Sequence, residues 1–301
     1  MIMTIPQIIL ITGAGSGFGR LTAIALARAG HTVYATMRDV TGHSKDKADG
    51  LRLLAQSERL ALHVLELDVR LESSCRAAAD FILAEHGRID VVINNAAMMM
   101  AGITEAFRPD QLMQVLDLNA ISWVRVNRAL LPSMRRRGKG LLLYIGSGIT
   151  AIPDPFTGPY AASKAAGDVL AQTMALENSC YGIESVIVMP GAYTAGTDHF
   201  KHAVPAADVA VSAQYARVAP LAQQLAATLD AANVPGARTD ADEVAEAIRD
   251  LIALPHGTRP ARVEVDPQRR GALEVYAFAQ EKRAAFFRRL GIDNLLHTPL
   301  Q

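Results

Sequence analysis

The stretch QIILITGAGSGFGRLTAIALARAG, residues 7–30, joins an unbroken apolar run to a glycine loop and then to a helical pattern. QIILIT (7–12) has no polar alternation, so it reads as a strand buried on both faces. Gly13, Gly15, Gly17 and Gly19 follow, and the text from Gly17 to Ala29 has helical spacing. Glycines permit a tight turn and close approach by another group, while a helix start directs unpaired amides and the positive end of its dipole at the same point. A strand, a glycine loop and a helix in that order predict a dinucleotide pyrophosphate site, with Ser16 and Phe18 sharing the contact.

The alternation continues along the chain. Further strands are expected at HTVYAT (31–36), LALHVLELDV (60–69), IDVVINNA (89–96), GLLLYIGS (140–147), IESVIVMPG (183–191) and ARVEVD (261–266). Helical text separates most of them: SSCRAAADFILAEHG, a long stretch at about 109–137, and a helix that begins near Tyr160. Continuously apolar strands alternating with helices predict an α/β fold, a Rossmann-type doubly wound parallel sheet. One domain over 1–301 is the simplest organisation. Within it, Ala-rich text broken by Pro205, Pro220, Pro235 and Gly236 makes 190–259 a helical substrate-cover insertion, and 267–301 a C-terminal helical extension.

Composition narrows the function classes. Half of the 301 residues are hydrophobic, and 30 basic side chains balance 30 acidic ones. Zero net charge gives no field for nucleic acid or an anionic membrane surface. The one basic run, Arg135, Arg136, Arg137 and Lys139, suits a helix end. Cys75 and Cys180 have no metal-ligand neighbours at useful spacing, so two free thiols, no metal and a cytoplasmic location are expected. MIMTIPQIILITGAG lacks a basic leader and a cleavage site and reads as the first strand, and no apolar run approaches the roughly 18 residues of a membrane span.

The end of the second strand bears on which dinucleotide binds. An acidic residue there suits the ribose diol of NAD, and an arginine suits the 2′-phosphate of NADP. About 18 residues past Gly19, the acidic slot holds Met37, and Arg38 follows it. NADP(H) is therefore expected over NAD(H), with Asp39 the alternative diol partner if the register slips.

A second stretch, PYAASKAAGDVL (159–170), sets Tyr160 and Lys164 one helical turn apart. A buried cation beside a phenol stabilises the phenolate and makes the tyrosine a usable proton donor near neutral pH. With TGAGSGFG (12–19), Asp68 in LDV, NNAA (94–97), Asn119 in LDLNA, Ser147 in IGSG and the pair Pro190–Gly191, the chain resembles the short-chain dehydrogenase/reductase family, single-domain type.

The resemblance implies a catalytic set of Asn119, Ser147, Tyr160 and Lys164. Tyr160 would be the proton donor, Lys164 its cation and ribose clamp, Ser147 a bond to the substrate oxygen, and Asn119 the anchor of a relay water. It also implies cofactor contacts from Asp68 and Val69, from Asn95, Ala96 and Ala97, and from Pro190, Gly191, Tyr193 and Thr194. Two positions depart from the pattern. Ala97 stands where glycine is usual, adding a Cβ at a close approach, and Ala195 stands where a threonine bonds the nicotinamide amide, leaving Thr194 or Thr197 to substitute. The substrate pocket is expected from Met98, Met99, Ile149, Phe156, Tyr193, His199 and Phe200, with Met100 beside them and core filling as the other reading of the methionines. Adaptable methionines suit a bulky hydrophobic ketone, aldehyde or alcohol. The resemblance further implies a homodimer or homotetramer. A nucleotide-binding redox sensor without catalysis and an NAD-preferring alcohol dehydrogenase are the alternatives; an epimerase or dehydratase fits less well, because Gly13, Gly17 and Gly19 do not match its glycine spacing.

Overall fold

Strand β1 (Ile8–Ile11) is buried at all four positions. Its pleat sends Ile9 and Ile11 into one hydrophobic core and Ile8 and Leu10 into the other. In the computed structural model, which describes residues 6–298, six more strands extend this sheet: β2 (Thr32–Met37), β3 (Leu62–Glu66), β4 (Val91–Asn94), β5 (Gly140–Ile145), β6 (Ile183–Pro190) and β7 (Arg262–Val265). Positions 1–5 of the expected opening text and 299–301 of the expected tail lie outside the described residues. All seven strands run parallel in the order β3-β2-β1-β4-β5-β6-β7. This is the Rossmann-type doubly wound sheet that the alternation predicts, and its order reverses between β1 and β4.

The first core is covered by α1 (Gly17–Arg28), α2 (Lys45–Glu58) and α10 (Asp242–Ala253), through residues such as Leu26, Leu51 and Ile248. The second is covered by α3 (Glu72–His86), α5 (Ser122–Arg137) and α6 (Gly158–Ser179), through Ile82, Leu130 and Ala171. The polar text of α2 gives no apolar stripe in the sequence; the helix packs on only Ala48, Leu51 and Ala55. Between α4 (Pro109–Leu116) and α5 the helical path widens into a π turn over Asp117–Ile121, which splits the single helix expected there.

The region after β6 divides in two. The short helices α7 (Val209–Ala213), α8 (Ala219–Gln223) and α9 (Leu225–Ala231) carry one buried residue between them, Leu225. In contrast α10, which the expected boundaries assign to the cover, buries Val244, Ala245, Ile248, Leu251 and Ile252 and packs on α1. It is the ordinary crossover helix into β7, because its apolar stripe faces the sheet.

Helix α11 (Ala272–Leu290) docks on the far side of the sheet edge. Arg262 of β7 makes a bidentate ion pair with Asp168 of α6 at 2.6 and 2.7 Å, and its guanidinium stacks 3.5 Å from the ring centroid of Tyr276 in α11. Both charges are buried, with 9% and 2% of their side chains exposed. Asp168→Ala would leave the guanidinium buried without its counter-charge. The variant is expected to lose about 3–5 kcal/mol in urea unfolding; a loss below about 1 kcal/mol would mean that stacking on Tyr276 suffices to hold Arg262.

Candidate active site

The sheet's order reversal opens a cavity of about 400 Å³ at the carboxyl ends of β1 and β4. Two polar side chains hold its floor. The Thr12 hydroxyl accepts the backbone amides of Asn95 and Ala96 at 2.9 and 3.0 Å, and the Asn95 amide donates to the carbonyls of Thr12 and Gly13 at 2.8 and 3.1 Å. Gly13 has φ +66°, and a Cβ there would stand 2.8 Å from the Ala96 Cα. Gly13, Gly15, Ser16, Gly17 and Phe18 line the cavity. Gly19 does not: it lies beneath, where a Cβ would meet the Asn95 amide nitrogen at 2.4 Å, so it serves the close packing of helix on strand. The first turn of α1 has neither a side-chain cap nor an acidic residue, which leaves its amides and dipole facing the cavity.

Met37, Arg38, Asp68, Val69, Asn95, Ala96 and Ala97 continue the wall. Ala97 is not among the non-glycine residues with positive φ (Asp39, Arg59, Phe156 and Arg269), so its Cβ brings no backbone strain. Asp68 is paired with Arg70 at 2.7 Å, and that hydrogen bond holds its carboxyl below the usual range. His43, Ser44 and Lys47 also line this end of the cavity. Sequence reading passes over them, although two basic residues closely following Arg38 are a visible signal. Asp39 does not line the cavity; its carboxylate accepts the His43 amide at 2.7 Å within its own turn.

Ser147, Tyr160 and Lys164 line the other half. Ser147 follows β5 in extended conformation and caps a short turn, its hydroxyl accepting the Ile149 amide at 3.3 Å. Tyr160 and Lys164 project from the first turns of α6, both buried. The lysine does not reach the phenol: its ammonium donates to the Ile145 carbonyl at 2.8 Å and lies 5.9 Å from the Tyr160 ring centroid and 5.6 Å from that of Trp123. Burial pushes the lysine down to about 8. It also pushes the phenol above its ordinary value, against the Ser147 hydroxyl and the positive charge of Arg270, which pull it back. In this arrangement the Lys164 ammonium makes its hydrogen bond to the Ile145 carbonyl and lies beside the phenol ring without bonding it.

Asn119 stands one layer behind the cavity. Its Oδ1 accepts the Met98 amide at 2.8 Å, and its amide donates to the Met98 carbonyl and the Ser163 hydroxyl, each at 2.9 Å. Both amide hydrogens are used, so the side chain locks the loop after β4 onto α6. The π turn that carries it, Asp117–Ile121, is of a kind frequent at functional sites.

On the open side, Met98, Met99, Ile149, His199 and Phe200 line the cavity, whereas Met100 is fully buried behind them. His199 lies edge-on to Tyr160, with ring centroids 5.4 Å apart; burial, with the Lys164 charge, pushes it down to about 4, so it is neutral near pH 7. The segment carrying it is fastened to the loop after β4: Val204 donates to the Met99 carbonyl at 2.9 Å, and Ala101 to the Val204 carbonyl at 3.2 Å.

Three expected contacts are redirected. Phe156 is not in the cavity lining; with φ +66° its carbonyl accepts the Gly102 amide, and Asp154 and Thr157 line the wall instead. The Thr194 hydroxyl is committed to Asp230 at 2.9 Å, while Thr197 lines the cavity beside Gly17 with its hydroxyl donating to the Tyr193 carbonyl at 2.9 Å. Tyr193 borders the cavity with its ring against Phe18, but its hydroxyl turns away to Glu243 at 3.1 Å, which makes it a core aromatic rather than a substrate contact. Pro190 and Gly191 line the wall as expected, and a Cβ on Gly191 would collide with Asp266.

Comparison with known proteins agrees with this geometry. A family model described as short chain dehydrogenase matches residues 7–208. The 3-ketodihydrosphingosine reductase of Bacteroides thetaiotaomicron is 36% identical over 194 residues, which are 64% of this chain and 65% of that protein. Human 17-beta-hydroxysteroid dehydrogenase type 1 is 36% identical over 192 residues, 61% of this chain and 56% of that protein. The chain thus spans less than two thirds of the length of either relative. A short-chain dehydrogenase from Streptomyces avermitilis of known structure superposes over 95% of this chain and 96% of its own, with a TM-score of 0.73 and 28% identity.

The buried lysine carries a stability cost that a measurement can read. Its fall from 10.5 to about 8 corresponds to about 3 kcal/mol of disfavoured ammonium. That cost is fully present below the folded value and is relieved as pH rises toward the unfolded one, because the unfolded chain then releases the proton it alone retains. Lys164→Met is therefore expected to stabilise the cofactor-free protein at pH 7, with the gain shrinking as pH rises from about 8 to about 10.5 in urea titrations; a gain that is flat with pH would contradict this account.

Proposed function

The chain belongs to the short-chain dehydrogenase family, and we propose that it is an NADP(H)-dependent oxidoreductase interconverting a hydrophobic ketone or aldehyde with its alcohol. The observation that carries this reading is that Ser147, Tyr160 and Lys164 share one cavity with the glycine loop at the switch point. The chain fits a dinucleotide by its own features: the uncapped α1 amides for a pyrophosphate, Gly13 and Gly191 where a Cβ would collide, and Thr197 lining the cavity beside the glycine loop. When bound, the nicotinamide supplies or accepts the hydride. Tyr160 then delivers the proton to the developing alkoxide, with the Ser147 hydroxyl holding the same oxygen. Lys164, already desolvated, gains from ribose hydroxyls the acceptors that its burial lacks and supports the phenolate at one remove. Asn119 keeps the loop after β4 in register with α6 and stands at the turn where a relay water would leave the lysine.

Arg38, His43 and Lys47 at the far end of the cavity favour the 2′-phosphate of NADP, and the engagement of Asp39 in its own turn weighs against the NAD alternative. Apolar Met98, Met99, Ile149 and Phe200 suit a bulky hydrophobic substrate; the names of the two relatives, one a ketodihydrosphingosine reductase and the other a hydroxysteroid dehydrogenase, point the same way. In this reading the substrate cover within 190–259 is α7 to α9 with the loop before them, and 267–298 is a separate helical extension. Exposed Met113, Ile121, Val169 and Leu170 on α4 to α6 support a homodimer or homotetramer, and two free cysteines support a reducing, cytoplasmic setting. Among the described residues no helix is long and apolar enough to cross a membrane.

Loss of NADPH absorbance with cyclohexanone, acetophenone, a decalone and a 17-ketosteroid tests the reading. Wild type is expected to reduce at least one of the larger ketones, and Tyr160→Phe to lose about 10²–10⁴-fold in turnover with NADPH binding retained. Turnover undiminished in Tyr160→Phe would refute the mechanism. Arg38→Ser is expected to lower kcat/KM for NADPH by about 10–100-fold, the worth of a charged hydrogen bond, and to leave NADH within a few-fold; an equal loss for both would remove the NADP assignment.

A further inference from the structure

The segment after β7 lies beyond residue 208, where the family match ends, yet it forms part of the cavity wall through Arg270. Resting on the oxidoreductase reading, we infer that Arg270 is a positioning residue for the Ser147–Tyr160 pair: anchored by Asp154 and Asp266, it braces the Gly148 turn from outside the sheet and presents a second cation to the phenol.

Three contacts argue for the brace. The Arg270 Nη1 donates to the Asp154 carboxylate at 2.9 Å, across the cavity rim from the loop between β5 and α6. Its backbone amide donates at 2.9 Å to Asp266, whose side chain is 2% exposed, while its own side chain is 12% exposed. Between these anchors the aliphatic stem lies over Gly148: a Cβ there would stand 3.1 Å from Arg270 Cδ and 3.3 Å from the Ala272 Cβ. A side chain at 148 would press on both, so the arginine stem is packed tightly on the turn that presents Ser147. A second strut runs in parallel. The Tyr276 hydroxyl donates to Thr150 Oγ1 at 2.6 Å, and that hydroxyl donates to the Ser147 carbonyl at 2.8 Å. The same segment holds the Gly191 side, since Gln268 exchanges two hydrogen bonds with the Ala192 backbone at 2.8 and 2.9 Å.

Arg270 lines the same cavity as Ser147 and Tyr160, so its charge bears on the phenol through that space. Lys164 on α6 is turned to the Ile145 carbonyl. His199, after β6, is neutral near pH 7. Asp154, between β5 and α6, is occupied by Arg270. Of these groups Arg270, with the Ser147 hydroxyl, is what opposes the effect of burial on the phenol. A guanidinium keeps its charge at every working pH, whereas a lysine near 8 does not.

The experiment compares Arg270→Gln, Arg270→Lys and Asp154→Asn in the full chain, by the pH dependence of kcat for the best ketone of the panel and by hydrogen exchange of the 146–152 backbone with NADPH bound. Arg270→Gln is expected to move the tyrosine limb of the profile up by about one pH unit and to speed exchange in 146–152 by about fivefold or more. Arg270→Lys should restore the profile, and Asp154→Asn should shift it down, giving an opposite displacement that reads the same field if Arg270→Gln does not fold. An unmoved profile in both Arg270→Gln and Asp154→Asn, or a lower kcat with neither a pH shift nor faster exchange, overturns the proposal. If wild type reduces no ketone, the oxidoreductase reading fails separately, and exchange in 146–152 still decides the brace, with unchanged rates overturning it.

Discussion

The junction between β1 and β4 carries the rest of the molecule. Parallel strands leave their carboxyl ends open on one edge, and where the order reverses the two loops diverge and must be tied together or gape. Thr12 and Asn95 make that tie with four hydrogen bonds between side chain and backbone. Because the side chains meet the backbone there, the glycine loop needs no bulk of its own, and Gly13 can approach Ala96 to within a distance that no Cβ tolerates. The cavity is the space this tie leaves, and its two halves inherit their spacing from it.

Within that space electrostatics is set by exclusion of water more than by pairing. Lys164, Tyr160 and His199 are each displaced by burial toward the neutral form. Beside them Arg270 keeps a secured charge, because Asp154 and Asp266 hold it at the rim. The site is thus preorganised by a scaffold of low polarity, in which few charges act and each acts strongly.

Much of this architecture was legible in the sequence, and for a physical reason. Strands buried on both faces must be apolar throughout, so Ile8–Ile11 or Gly140–Ile145 stand out against any background. Motif residues that touch backbone, such as Gly13 and Asn95, are also legible, since few residue types can do their work. The polar helix α2 was not, because only Ala48, Leu51 and Ala55 are buried. Loop residues were the least readable: Asp230 and Glu243 draw the side chains of Thr194 and Tyr193, and the Gly102 amide fixes the Phe156 backbone. Those partners come from distant elements, and spacing along the chain carries no trace of them. Arg270 sits in text with no periodic or motif signal, so its place became visible only once β7 set it beside Gly148.

The strand register has a consequence for how this chain acquires its shape. Ile9 pairs with Thr32's neighbour Val33 on one side, but with Val91 on the other, and Ile187 must wait for Arg262. No strand pairs with its neighbour through a tight hairpin. As the polypeptide leaves the ribosome, β1 with α1 and β2 can gather early, while the inner edge of β1 stays open until β4 has been made and the closing strand arrives almost at the end. Long loops must close before such contacts repay their entropy, so folding is expected to be slow, ordered from the amino terminus, and dependent on shielding of that waiting edge during synthesis.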